Sequence, residues 1–102
     1  MGIEEKIPFG RANAIQRSSL ATACGMSDRK MRNQIEGARR SGHIIINAQD
    51  SAGYYRIDPE SVSESELAEI NRQYRQNQHR ALSVLSYQKH LRRILKAHNM
   101  KV

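Results

Sequence analysis

The chain has no tryptophan, one phenylalanine and one cysteine in 102 residues, and aromatics make up only 5% of it. Large rings therefore cannot build the core, which has to come from Leu, Ile, Ala, Met and the four Tyr. At 38% hydrophobic the composition is still that of a globular protein, and so short a chain allows one domain plus an appendage. The lone Cys24 excludes an internal disulfide and reads as a small buried hydrophobe. His43, His79, His90 and His98 fall outside any Cys/His ligand spacing, so neither a metal site nor a cofactor is expected. Phosphate-loop, nucleophile-elbow and paired-carboxylate signatures are missing too, which points away from an enzyme. No apolar run approaches the ~20 residues of a membrane-spanning helix. The amino end, MGIEEKIPFG, carries no apolar signal-peptide region, and Gly2-Ile3-Glu4-Glu5-Lys6 does not complete a myristoylation motif. A cytoplasmic protein without a membrane partner is the expectation.

Acid is scarce as well, and unevenly placed. Seventeen Lys and Arg face ten Asp and Glu, a net charge of +7, and a polyanion is the natural partner of such a chain. From Ile15 to Gly42 six bases (Arg17, Arg29, Lys30, Arg32, Arg39, Arg40) stand against Asp28 and Glu36, a net of +4. From Ile70 to the end there are eight bases and no acid, so a second basic surface is present.

In chain order, Ile7-Pro8-Phe9-Gly10 is too punctuated for a helix interior, Phe9 reads as a core plug, and Asn13 to Ile15 as a short strand. Ser18 or Ser19 is expected to cap a helix through Ala23, with Gly25 ending it. Ser27 caps a second helix. At 100° per residue, Met31, Ile35 and Ala38 fall on its inner side and Arg29, Asn33, Glu36 and Arg40 on its outer side, flanked by Lys30 and Arg32. Gly37 within this helix has two equal readings, close approach of another element or simply a weak position in the helix. His43 to Asn47 and Tyr54 to Ile57 read as strands of a hairpin with its tip over 48–53, one Tyr of the Tyr54-Tyr55 pair facing in and the other out. From Ser63 onward the pattern is helical. Positions 67, 70, 74, 77, 81, 84, 88, 91, 95 and 98 carry apolar residues at seven of ten places. Either one helix of about 50 Å continues through Asn77 or the chain bends there.

Helix, tight turn, helix and hairpin in this order resemble the winged helix-turn-helix DNA-binding family, in the small form found in bacteria and their phages. The likeness rests on Gly25, Arg29, Arg32, Ile35, Arg39, Gly42 and the Gly53-Tyr54-Tyr55 closure, and covers roughly residues 7 to 58. It implies a winged domain over 1–60, while the residue pattern beyond it gives a basic amphipathic helix over 61–102, so that the fold expected is mainly α with a small β-hairpin. It also implies a recognition helix over Asp28 to Ser41 that enters the major groove. On that basis Arg29, Arg32, Asn33 and Glu36 are the expected base contacts, Arg matching guanine, Asn adenine and Glu the cytosine amine. Arg17, Ser27, Lys30, Arg39 and Arg40 are expected on phosphates, joined by Gln49 and Ser51 because the tip has no Lys or Arg.

The C-terminal helix has two readings. Leu67, Ile70, Tyr74, Ala81, Val84, Leu91 and Leu95 form a seam for a homodimer, suited to a two-fold symmetric DNA site. Alternatively Leu67, Ile70 and Tyr74 pack back within the chain. The function expected is sequence-specific binding of double-stranded DNA by a small transcriptional regulator or a replication or lysogeny factor. The alternative is a non-enzymatic adaptor or inhibitor that holds an acidic partner protein.

Overall fold

A computed structural model of the chain describes residues 2–48 and 52–102. It is mainly helical, with one two-stranded antiparallel hairpin and a long C-terminal helix. Two short 3-10 turns, Ile3–Lys6 and Arg11–Asn13, precede α1 (Arg17–Cys24), α2 (Asp28–Arg40), β1 (Ile44–Ala48), β2 (Gly53–Ile57) and α3 (Glu64–Ala97). Packing divides the chain into residues 1–67 and 68–102. That boundary lies inside α3, a few residues beyond the division between 60 and 61 that the sequence suggests.

The first unit buries a cluster of apolar side chains against α2. Ile3, Ile7, Leu20, Met31, Ile35, Ala38, Ile45 and Tyr54 are buried together, with Ile15, Ala21, Cys24 and Met26 packed on them. Met31, Ile35 and Ala38 recur at helical spacing, so one stripe of α2 faces inward, as the sequence pattern requires. Full burial of each large aliphatic side chain contributes about 1.5–3 kcal/mol.

The hairpin pairs Ile44 with Ile57, Ile45 with Arg56, Ile46 with Tyr55, Asn47 with Tyr54 and Ala48 with Gly53. Ile45 and Tyr54 lie on the same face and join the core. On the opposite face Ile46 and Tyr55 are each only 1% exposed. Both tyrosines are therefore buried, which corrects the expectation that alternation would leave one in solvent.

The second edge of β2 is covered at two points. Ile15 and Tyr54 exchange backbone hydrogen bonds of 2.9 and 2.8 Å, so the expected strand over Asn13 to Ile15 reduces to a single antiparallel bridge. Further along, the Arg56 N–H donates to the Pro8 carbonyl (2.8 Å) and the Gly10 N–H to the Arg56 carbonyl (3.0 Å). The Arg56 side chain adds an Nε–H donated to the Ile7 carbonyl at 2.7 Å and a guanidinium 4.0 Å over the Phe9 ring. Phe9 is thus 51% exposed and serves as a platform for a cation, not as a core plug.

Gly53 adopts φ +103°, a region that side chains with a Cβ avoid. It also lies where a Cβ would collide with the Ile15 carbonyl. The chain therefore has a glycine here for two independent reasons.

α1 begins at Arg17 after Gln16, which makes no side-chain cap; Ser18 and Ser19 sit in the first turn and are not the caps expected of them. α3 starts with a reciprocal capping box. Ser63 Oγ accepts from the Glu66 N–H (3.2 Å) and Glu66 Oε1 accepts from the Ser63 N–H (3.0 Å). The helix then runs unbroken for 34 residues, so Asn77 is accommodated without a bend. Beyond its last residue, Ala97, the chain turns at Asn99, φ +59°, and Met100 N–H donates back to the Leu95 carbonyl at 2.8 Å. From Tyr74 to the C-terminus every residue is exposed. Among the described residues no helix is long and apolar enough to cross a membrane.

Candidate nucleic-acid interface

α2 is fixed at both ends. Ser27 Oγ accepts from the Lys30 N–H at 3.2 Å, and Asp28 in the first turn complements the positive end of the helix. Left-handed Gly25 (φ +63°) turns the chain from α1 into that cap, with Met26 N–H donating to the Ala21 carbonyl and Gly25 N–H to the Thr22 carbonyl. The carboxyl end closes in the same way. Gly42 (φ +103°) lets His43 N–H donate to the Ala38 carbonyl and its own N–H to the Arg39 carbonyl. Both closures consume helix-end carbonyls that would otherwise lack partners. The glycines of the sequence motif thus set the angle and length of α2.

With Met31, Ile35 and Ala38 turned inward, the outward stripe is Arg29, Asn33, Glu36 and Arg40, bordered by Lys30, Gln34 and Arg32; all seven are exposed. Among the described residues Arg29, Lys30, Asn33 and Arg40 have no side-chain partner. Arg32 differs, since its Nε lies 3.1 Å from Asp28 Oδ2, while Arg17 Nε lies 3.0 Å from Asp28 Oδ1. One carboxylate thus gathers an arginine from α1 and one from α2, and the basic surface spans both helices. These pairs are about half exposed and add little stability, on the order of 0.5 kcal/mol each. Their main effect is to aim the guanidinium groups.

Arg39 is built differently from its neighbour Arg40. Its Nε and Nη2 donate to the Ile45 carbonyl at 3.1 and 2.9 Å, and its Nη1 meets Glu36 at 2.7 Å. Arg56, paired across from Ile45, directs its own backbone groups away from β1, so alternation along the antiparallel ladder turns the Ile45 carbonyl to the open edge of β1. Arg39 covers that edge. Glu36 is correspondingly occupied as an orienting acceptor for Arg39. The expected outcome is that Arg39→Ala lowers stability by about 2 kcal/mol, as loss of charge-assisted bonds to a carbonyl does. Arg40→Ala, which removes a side chain without a partner among the described residues, should leave the urea midpoint unchanged. Equal effects of the two variants on stability would refute this division.

Gly37 stands inside α2. It lies on the solvent side, next to Asn33 and Arg40, and an added Cβ meets nothing within 4 Å. There is room for a side chain here, which favours the weak-position reading of this glycine over close packing. Gly37→Ala is therefore expected to raise stability by about 1 kcal/mol through helix propensity, read as an upward shift in the midpoint of urea unfolding. An unchanged or lower midpoint would show that the position is constrained within the chain.

Gln49 and Ser51, the expected phosphate contacts of the hairpin tip, lie outside the described residues. Among the described residues no group of His, Cys, Asp and Glu could hold a metal ion. The seam residues Tyr74, Val84, Leu91 and Leu95 are exposed, between 39% and 62%. Comparison with protein-family models, curated proteins and solved structures gives no match.

Proposed function

We propose that the chain is a winged helix-turn-helix protein that binds double-stranded DNA sequence-specifically as a homodimer, with α2 in the major groove. The observation that carries this reading is the outward face of α2. Arg29, Asn33 and Arg40 stand there without partners among the described residues, on a helix whose opposite face is fully buried. Such an arrangement leaves hydrogen-bonding groups free for base edges while the scaffold stays rigid. The order α1, tight turn, α2, hairpin supports it, as does the Ile15 bridge that gives the hairpin a third strand in miniature. Arg17, Lys30 and Arg40 supply the phosphate contacts that fix register, and Arg29, Arg32 and Asn33 read sequence. Function follows from occupancy of the site and requires no catalysis.

The test is a titration of duplex DNA, selected from a random pool by the protein, over a series of salt concentrations. A steep fall of affinity with salt, and a preference over unselected DNA of about a thousandfold or more, are expected. Binding that never rises above the nonspecific level would sink the reading and leave an acidic protein as the partner of the same basic face.

A further inference from the structure

We propose that α3 pairs with the α3 of a second copy of this chain as an antiparallel two-stranded coiled coil centred between Leu82 and Ser83. The inference rests on the homodimer reading above and adds to it a direction and a register. Its starting point is the exposed row Tyr74, Val84, Leu91 and Leu95 on a helix that continues without a break through two polar seam positions, Asn77 and Gln88. A soluble surface rarely carries an apolar row of that length unless something covers it.

The register follows from where the polar positions fall. In the heptad frame Leu67, Tyr74, Ala81, Gln88 and Leu95 share one seam position, and Ile70, Asn77, Val84, Leu91 and His98 share the other. When two helices run in opposite directions, residues of one set face residues of the other. Full overlap then places Ile70 against the partner's Leu95, Tyr74 against Leu91, Ala81 against Val84, and Asn77 against Gln88. Every apolar layer between Ile70 and Leu95 is matched, and the two polar side chains meet each other as amides able to hydrogen-bond. A shift of one heptad in one direction puts Asn77 against Ala81 and Gln88 against Ile70; in the other it puts Asn77 against Leu95 and Gln88 against Val84. Both shifts bury amides against apolar side chains, which is unfavourable. The small Ala81 and Val84 next to the two-fold axis allow close approach of the helices.

Direction follows from charge. Beyond Ile70 the helix has seven bases and no acid. A parallel pair would set each of these bases level with its own counterpart at an axis separation of about 8–10 Å, comparable to the Debye length at physiological salt. The antiparallel pair instead brings Glu66 close to the level of the partner's Lys96 and leaves one like-charged level, Arg72 with the partner's Arg93. It also opposes the two helix dipoles.

The test uses the full chain with Cys24→Ser and, separately, Asn77→Cys or Gln88→Cys, each bridged by a short bis-maleimide alone and after mixing. Folding of each variant is checked by circular dichroism, and wild-type mass by sedimentation. The expected result is a linked dimer of two 11.7 kDa chains in the mixture, about ten times more abundant than in either variant alone, because two copies of position 77 would lie about 16 Å apart along the axis. A linked dimer from Asn77→Cys alone overturns the direction. No link with a dimeric wild-type mass overturns the register, and no link with a monomeric mass overturns the pairing itself. DNA titration of the same samples separates the two proposals, since a failed link with intact sequence-specific binding refutes the coiled coil and spares the DNA reading.

Discussion

Gly53→Ala is expected to lower the stability of the first unit by about 4 kcal/mol, enough to abolish cooperative unfolding in a marginally stable domain. The effect has two parts. Holding alanine at φ +103° costs about 1–2 kcal/mol. The new Cβ would also meet backbone, namely the Ile15 carbonyl carbon at 2.5 Å and Gln16 Cα at 2.7 Å. Backbone cannot rotate aside as a flexible side chain can, so the Ile15 bridge has to open. Its two hydrogen bonds to Tyr54 would be lost, at about 1 kcal/mol each. Urea unfolding followed by tyrosine fluorescence measures this. A midpoint close to wild type would mean that the bridge is dispensable. The contrast with Gly37→Ala, expected to be stabilising, separates a glycine required by its surroundings from one that the chain itself does not need.

The double change Arg29→Ala/Arg32→Ala should weaken binding to selected DNA by at least about a hundredfold, since each lost base contact is worth about 1–3 kcal/mol. Stability should hardly move. Arg29 has no side-chain partner among the described residues, and Arg32 gives up only a half-exposed pair with Asp28. The signature expected of the proposed DNA reading is loss of discrimination: affinity for unselected DNA falls far less than affinity for the selected site, because the phosphate contacts proposed for Arg17, Lys30 and Arg40 are untouched by the change. An affinity for the selected site within twofold of wild type would place the reading elsewhere.

Much of this organisation could be read from residue order because local rules govern it. Ser27, Gly25 and Gly42 mark the ends of α1 and α2 through capping chemistry that depends on a few neighbouring residues. Met31, Ile35 and Ala38 mark the buried side of α2 through period alone. What could not be read depends on residues distant in sequence. Phe9 looks like a core residue until Arg56 is known to lie across its ring. Arg39 and Arg40 are adjacent and chemically identical, yet only the three-dimensional position of the Ile45 carbonyl separates the strut from the free cation. Tyr55 was open to a solvent-facing reading because alternation presumes one covered face, whereas both faces of this hairpin are covered. Asn77 left open a bend in α3 because the seam pattern weakens there, although helical backbone tolerates asparagine at modest cost.

The Arg56 clamp has a consequence in time. Its bond to the Ile7 carbonyl joins residues 49 apart, whereas the α1 to α2 turn and the hairpin form from near neighbours. Closing a loop of that length is entropically the harder step, so it should follow the assembly of the helices and hairpin and be largely absent from the rate-limiting state. Interactions that form after the barrier act on escape from the native state and leave entry almost untouched. The clamp therefore sets how long a folded molecule survives between openings, while the helix caps and the stripe of α2 set how quickly it arises.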